Sequence, residues 1–321
     1  MNKSITTSLM AAVLSVAASA ACAETDWPTR TIQIVIPASP GGDTDFNART
    51  MAKYFEQITG KSMVITNMAG GGGSIATSQV KDSAPDGNTI LFAHTGQMIV
   101  NEVSGLIDYS IDDFAISCIP GVDKGAVFVA SKQSGITSVD ELVTNAQANP
   151  NTVIYGTELG GFSHLQGLIV QDLADLELKI VDTGSAAEKI TSLLGGRIDL
   201  TAITFGAVQD YAATGQMSVL GQPNAEPNPL LGDIPTFKAQ GIDFVMDKPY
   251  IVAFPKGTDP AIVEKMATVM KEITELPEYA KDLEQGFKQP VSFYHTEDAI
   301  AHLHEIRTDY LQYQDLLRGT N

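Results

Sequence analysis

Two glycine-rich turns hold the residues of this sequence best suited to chemistry. The first runs from Pro37 to Asp45 (Pro-Ala-Ser-Pro-Gly-Gly-Asp-Thr-Asp) and the second from Gly156 to Ser163 (Gly-Thr-Glu-Leu-Gly-Gly-Phe-Ser); each lies between an apolar run and a helical pattern. Glycine lets backbone N–H groups come close to a bound group. The first turn of a helix adds amides without intrahelical partners and a partial positive charge. One such turn alone reads as a capped helix start. Two facing each other form a clamp for an anion.

The elements that must position these turns follow from periodicity. Thr31 to Ile36 reads as a strand, Phe46 to Ile58 as a helix ending at Gly60, Met63 to Thr66 as a strand and Ser74 to Asp82 as a helix. A strand from Thr89 to Ala93 follows the turn Pro85-Asp86-Gly87. Past Gly121 the alternation restarts: strand Ala126 to Ala130, a helix opened by Ser138 with Glu141, strand Val153 to Tyr155, and a helix from Ser163 to Ala174. Strand Leu178 to Val181 leads to a helix capped by Ser185 with Glu188 and ended at Gly195-Gly196. The proline-rich stretch Pro223 to Pro235 lacks apolar periodicity and is expected to run over the surface. A strand at Tyr250 to Phe254, a helix opened by Thr258-Asp259-Pro260 and a last helix from Thr296 complete the chain. The alternation predicts an α/β fold with parallel strands and crossover helices, its ligand crevice at the carboxyl ends of the strands.

The chain has 321 residues, enough for two lobes with separate cores. Its opening reads as a secretory signal peptide, residues 1–23, with an apolar stretch from Leu9 to Ala20 and the triplet Ala21-Cys22-Ala23 before Glu24. Ser19 stands where a lipid-attachment signal carries Leu, so cleavage after Ala23 is expected; Cys118 is then the only mature cysteine and no intrachain disulfide exists. No later run reaches the length of a membrane span. Once Lys3 leaves with the signal, 19 basic residues face 38 acidic ones. Such a surface disfavours nucleic acid and anionic lipid. An anionic ligand must be held locally, against the global field.

A series of segments carries a family resemblance. Trp27-Pro28 leads to Val35-Ile36-Pro37; Pro40-Gly41-Gly42 is followed by Asp45 and Ala48-Arg49, then by Asn67 to Gly73 and Ala84 to Thr89; Gly184-Ser185, Leu194 to Asp199, Asp233 to Thr236 and Pro255 to Thr258 follow. In order and spacing the chain resembles the solute-binding receptors of tripartite tricarboxylate transporters, the Bug family. That resemblance implies a type II periplasmic binding protein: two α/β lobes with a central cleft and hinge, lobe 1 from residues 24–123 plus 245–321 and lobe 2 from 124–244. It implies a monomeric periplasmic receptor without metal or cofactor, which closes on a small carboxylate (di- or tricarboxylate, amino-acid-like or aromatic) and delivers it to the membrane permease subunits of such a transporter.

In this family a ligand carboxylate is held by backbone amides and ordered waters of the two turns rather than by an arginine, and neither turn here contains Arg or Lys. Carried over position by position, the first half of the clamp is Ser39, Gly41, Gly42, Thr44 and Asp45, with Asp45 capping the helix and organising the loop. The second half is Gly160, Gly161, Ser163 and His164. A third wall comes from Ala93 to Gly96, including His94 and Thr95, and from Thr183 to Ser185. Here the chain departs from the family pattern. Asp182-Thr183 replaces Tyr followed by Lys or Arg, His94 occupies a small or hydroxylic position, and Asp43 adds an acid at the mouth that repels a dianion if unneutralised. These departures leave room for an amino-bearing, monoanionic or aromatic carboxylate.

Enzyme motifs fail on their residues. Before Gly60-Lys61-Ser62, Phe55 stands where a phosphate-binding loop needs its first glycine. Gly70 to Gly73 has Ile75 where a dinucleotide fingerprint needs its third, and reads as a flexible loop bordering the cleft. No Gly-x-Ser-x-Gly elbow occurs, and His302 and His304 lie two apart on a helix, too divergent to share a metal. Two other functions remain open at this stage. A sensor would present the ligand to a membrane signalling protein, and a periplasmic hydrolase would turn it over.

Overall fold

The computed structural model describes residues 25–319. The expected signal peptide, with Cys22, lies outside the described residues. The first lobe begins with β1 (Ile32–Ile36), α1 (Asp43–Thr59), β2 (Met63–Asn67), α2 (Ser74–Lys81), β3 (Thr89–His94), α3 (Asn101–Ser104), β4 (Phe114–Cys118) and β5 (Val122–Asp123). The second holds β6 (Ala126–Ser131), α4 (Val139–Ala148), β7 (Ile154–Thr157), α5 (Phe162–Ala174), β8 (Lys179–Asp182), α6 (Ala186–Leu194), β9 (Leu200–Thr204), α7 (Gln209–Ala213) and β10 (Met217–Gly221). The chain then returns through β11 (Lys248–Pro255) to α8 (Pro260–Thr274), α9 (Pro277–Phe287), α10 (Thr296–Leu311) and α11 (Gln314–Arg318).

The first sheet has the order β2-β1-β3-β11-β4, with β5 paired to β11, and the second the order β10-β6-β9-β7-β8. β1 is parallel to β2 and β3, and β7 is parallel to β8 and β9, as the strand and helix alternation predicts. Two strands break that expectation. β11 is antiparallel to β3, β4 and β5, and β6 is antiparallel to β9 and β10. Both enter their sheet directly from the other lobe, so no crossover helix turns them into the common direction.

The strand period decides which side chains fill the core. Ile32, Ile34 and Ile36 of β1 point to one face, against Met51 and Phe55 of α1 and Met266 and Met270 of α8. Val35 points to the other, with Val80 of α2 and Leu91 of β3. All of these are buried, each worth about 1.5–3 kcal/mol relative to exposure. Helix starts follow their sequence signals. Pro260 takes the first position of α8 while Asp259 accepts from the Ala261 amide at 2.9 Å. The Ser138 hydroxyl accepts from the Glu141 amide at 3.1 Å. At Ser185 the expected box does not form, because its hydroxyl donates to the Glu188 carboxylate instead.

Two strands of chain cross between the lobes, at residues 124–125 and 222–247. Most of Pro223 to Pro235 is exposed or half-buried, but Asn224 and Asn228 turn inward and are buried beside Gln222. Gln222 Oε1 accepts from Asn224 Nδ2 (2.6 Å) and from the Asn228 amide (2.9 Å), and both asparagines donate to the Lys124 carbonyl. Asn228 Nδ2 also reaches the Lys288 carbonyl at 3.2 Å. The side-chain amides thus satisfy backbone that no ladder pairs. Lys124 and Asp247, one on each crossing, form an ion pair.

Candidate functional site

The carboxyl ends of β1, β3, β7 and β9 and the start of β11 converge on a cleft of about 240 Å³. Its walls include Ser39, Gly41, Gly42 and Thr44 of the first turn, Gly161 and Ser163 of the second, and His94 and Ser185. Five other expected residues are placed differently. Asp45, Thr95, Gly160 and His164 stand behind the cleft surface, and Thr183 faces a separate surface depression with Asp182 and Glu188.

The two turns share one construction. Gly41 has φ +85° and Gly160 φ +77°, a region in which glycine is unstrained. The Gly41 N–H donates to Asp45 Oδ2 at 2.9 Å, and the Gly160 N–H donates to His164 Nδ1 at 3.1 Å, in each case four residues ahead. Asp45 and His164 therefore shape the loops. Burial opposes ionisation of Asp45, but hydrogen bonds from Arg49, the Gly41 amide and Asn67 outweigh it and hold the carboxyl below its usual range. Burial depresses His164, which keeps it neutral with Nδ1 as acceptor. The first amides of α1 and α5, at Asp43, Thr44, Phe162 and Ser163, lack intrahelical partners.

Two lysines that the sequence reading overlooked complete the site. Lys248, at the start of β11, places Nζ 2.7 Å from Asp43 Oδ2 and 2.7 Å from Asp123 Oδ2. Asp43 is thus not the bare acid expected at the mouth: Lys248 and the Tyr250 hydroxyl, at 2.7 Å, both donate to Oδ2. Burial opposes its ionisation, but Lys248 and the other donors hold the carboxyl far below its usual range. Lys189 of α6 is buried, and its Nζ donates to Ser163 Oγ at 2.6 Å. Among the described residues no carboxylate lies within ion-pair distance of it. Burial pushes its ammonium down to about 8, against a weaker upward pull from Glu158.

Two polar residues on the cleft wall were also missed. Gln97 donates from Nε2 to the Pro37 carbonyl at 2.7 Å and accepts from the His94 amide at 3.1 Å, fixing the first turn against β3. Gln166, buried one turn into α5, has no hydrogen-bond partner for Nε2. His94 Nδ1 accepts from the Gly96 amide at 3.0 Å, and burial drives its pKa down to about 3, so the neutral ring carries its proton on Nε2. Lys189 was detectable: at i, i+3 and i+4 it shares the buried face of α6 with Ser192 and Leu193. Lys248 gave no such signal, since its partner Asp43 lies 205 positions away.

Features weighed as enzyme motifs have structural roles. Gly60 is the C-cap of α1, with φ +68° and its amide on the Glu56 carbonyl. Gly70 to Gly73 forms a tight turn with all four φ values positive, and Gly70 and Gly72 border the cleft. Cys118 is fully buried, which pushes its thiol far above the usual range. His302 and His304 face different partners, Glu305 and Asp112. Among the described residues no cluster of His, Cys, Asp or Glu has metal-binding geometry, and no helix is long and apolar enough to cross a membrane.

The signature of the tripartite tricarboxylate transporter family receptor matches residues 47–301. The chain belongs to that family. Among its relatives, a UPF0065 protein encoded in the gbd 5′ region of Cupriavidus necator is 29% identical over 87% of this chain and 85% of its own length. The protein BugT of Bordetella pertussis is 27% identical over 74% of each chain. Solved structures share the fold. MatC from Rhodopseudomonas palustris with bound malate superposes with a TM-score of 0.79 at 21% identity, covering 91% of this chain and 100% of MatC. An R. palustris protein with adipate gives 0.80 at 24% identity, covering 92% and 99%. The fold is therefore that of a type II periplasmic binding protein, two α/β lobes with a cleft between them, and the family is one of transporter receptors.

Proposed function

We propose that this receptor works in the periplasm, captures a small carboxylate in the interlobe cleft and delivers it to the membrane subunits of a tripartite tricarboxylate-type transporter. One observation carries the reading. Lys189 is a buried ammonium in the cleft wall whose hydrogen bond goes to a neutral hydroxyl, Ser163, at the amino end of α5. Burying a charge without a counter-charge is costly, so the site is built to gain from an incoming anion. The unpartnered Gln166 Nε2 and the free amides of α1 and α5 supply further donors on the same walls. The malate and adipate in the two superposed structures support a carboxylate as that anion.

Closure follows from one ligand touching both lobes. Thermal denaturation with a panel of mono-, di- and tricarboxylates tests the binding step, because a ligand at a hundred times its Kd stabilises by about 2.7 kcal/mol. A panel without any shift contradicts the proposal. Uptake of the identified ligand by cells lacking this gene tests delivery; undiminished uptake contradicts it.

A further inference from the structure

The charges around the cleft are arranged unequally, and this bears on which carboxylate enters. Near Lys189 the field is cationic and donor-rich. The opposite wall carries the Asp43–Lys248–Asp123 group, in which one ammonium serves two carboxylates. Asp123 accepts from the Gly125 amide (2.8 Å), the Thr204 hydroxyl (3.0 Å) and Lys248. Two acids thus share one ammonium. Both donors to Asp43 fall on Oδ2, so among the described residues Oδ1 has no partner, and the residue lines the cleft with 17% of its side chain exposed. Glu158, also on the wall, stands on the other side, beside Lys189, whose charged form it favours.

A second carboxylate on the ligand would meet Asp43, whose one ammonium, Lys248, is already shared with Asp123. A hydroxyl or ammonium there would instead donate to Asp43. The cleft, about 240 Å³, is of a size for a small molecule. The apolar side chains of Phe162, Ile190 and Ile203 leave room for a short carbon skeleton between the two poles.

Building on the carboxylate-receptor reading, we infer that the ligand is a small monocarboxylate with a hydrogen-bond donor at its far end, an amino or hydroxy acid. Its carboxylate sits at Lys189 and Gln166 and its donor at Asp43. Di- and tricarboxylates are disfavoured by the charge of the Asp43 wall.

Isothermal titration of the mature chain with L-serine, L-glutamine, 3-hydroxybutyrate, butyrate, malate, adipate and citrate tests this. The expected result is that at least one of the three donor-bearing monocarboxylates binds tenfold or more tighter than butyrate and each polycarboxylate. In Asp43→Asn, its melting transition checked for folding, the preference over malate should shrink at least tenfold. Malate, adipate or citrate binding as tightly as the best monocarboxylate overturns the inference while leaving the receptor reading intact. Butyrate matching the donor-bearing acids overturns it too, as does an unaltered preference in folded Asp43→Asn. Absence of binding by all seven overturns the inference together with the carboxylate reading.

Discussion

Lys189 Nζ and Ser163 Oγ are 2.6 Å apart, joining an ammonium of α6 to the second residue of α5 in the wall of the cleft. Ser163 Oγ also lies 2.7 Å from Thr157 Oγ1, so the hydroxyl is held from both sides. The helix start and the lysine thereby present one positive pole. Replacing Lys189 with Met should weaken carboxylate binding by about 1.5–3 kcal/mol, the worth of a hydrogen bond to a charged group, or roughly ten- to hundredfold. The melting temperature of the empty receptor should stay level or rise, since a buried cation is removed. Calorimetric titration and thermal denaturation of the same preparation check both.

The ammonium of Lys189 titrates near 8 in the empty receptor because burial disfavours its charged form. An anion bound beside it favours that form. Affinity should therefore be flat below pH 8 and fall as pH rises through 8, by at most about tenfold per unit for a single proton. Titrations between pH 6.5 and 9.5 read this directly, and Lys189→Met should remove the dependence.

Acid should destabilise the fold through the first turn and its neighbours. His94 is depressed from 6.5 to about 3, first by burial and then by Lys248, so the unfolded chain takes up its proton earlier and stability falls as pH drops from 6.5 toward 3. Asp43 is also depressed below its ordinary value of 3.8, and its contribution is lost in the same direction at still lower pH. Urea unfolding at stepped pH checks the slope. His94→Gln should flatten it between pH 6.5 and 4.

Gly160 sits where the lobes touch. A Cβ there would lie 2.5 Å from Leu106 Cδ1 of the first lobe, and its φ of +77° costs a side-chain-bearing residue about 1–2 kcal/mol. The exposed Leu106 side chain can turn aside, so the backbone conformation sets the cost. Gly160→Ala should lower stability by about that 1–2 kcal/mol in urea denaturation.

Asn228 ties both crossings to α9. Its loss leaves the carbonyl of Lys124 with one donor fewer and that of Lys288 without this one, in a buried setting. Asn228→Ala should cost about 1–3 kcal/mol in urea denaturation.

Much of the architecture was legible because it is written in local patterns. Ile32, Ile34 and Ile36 repeat every second residue, and Leu165, Ile169 and Leu173 step round α5 at helical spacing, so strand and helix could be told apart. The two turns were legible because glycine pairs at strand ends have few other uses. What escaped was set by distance along the chain. Lys248 reaches Asp43 only because β11 returns from the second lobe to pair with β3 and β5, and no local pattern encodes that return. The inward turn of Asn224 and Asn228 escaped because their hydrogen bonds go to Lys124 and Lys288, remote in sequence. Asp43 read as repulsive for the same reason.

The central claim is that the cleft binds a carboxylate through the Lys189 pole. Calorimetric titration of the mature wild type and of Lys189→Met with the carboxylate panel tests it most directly. The account predicts saturable one-to-one binding of a carboxylate by the wild type and at least tenfold weaker binding by the variant. A wild type that binds none of the panel, or a Lys189→Met chain that binds as tightly as the wild type, would contradict it.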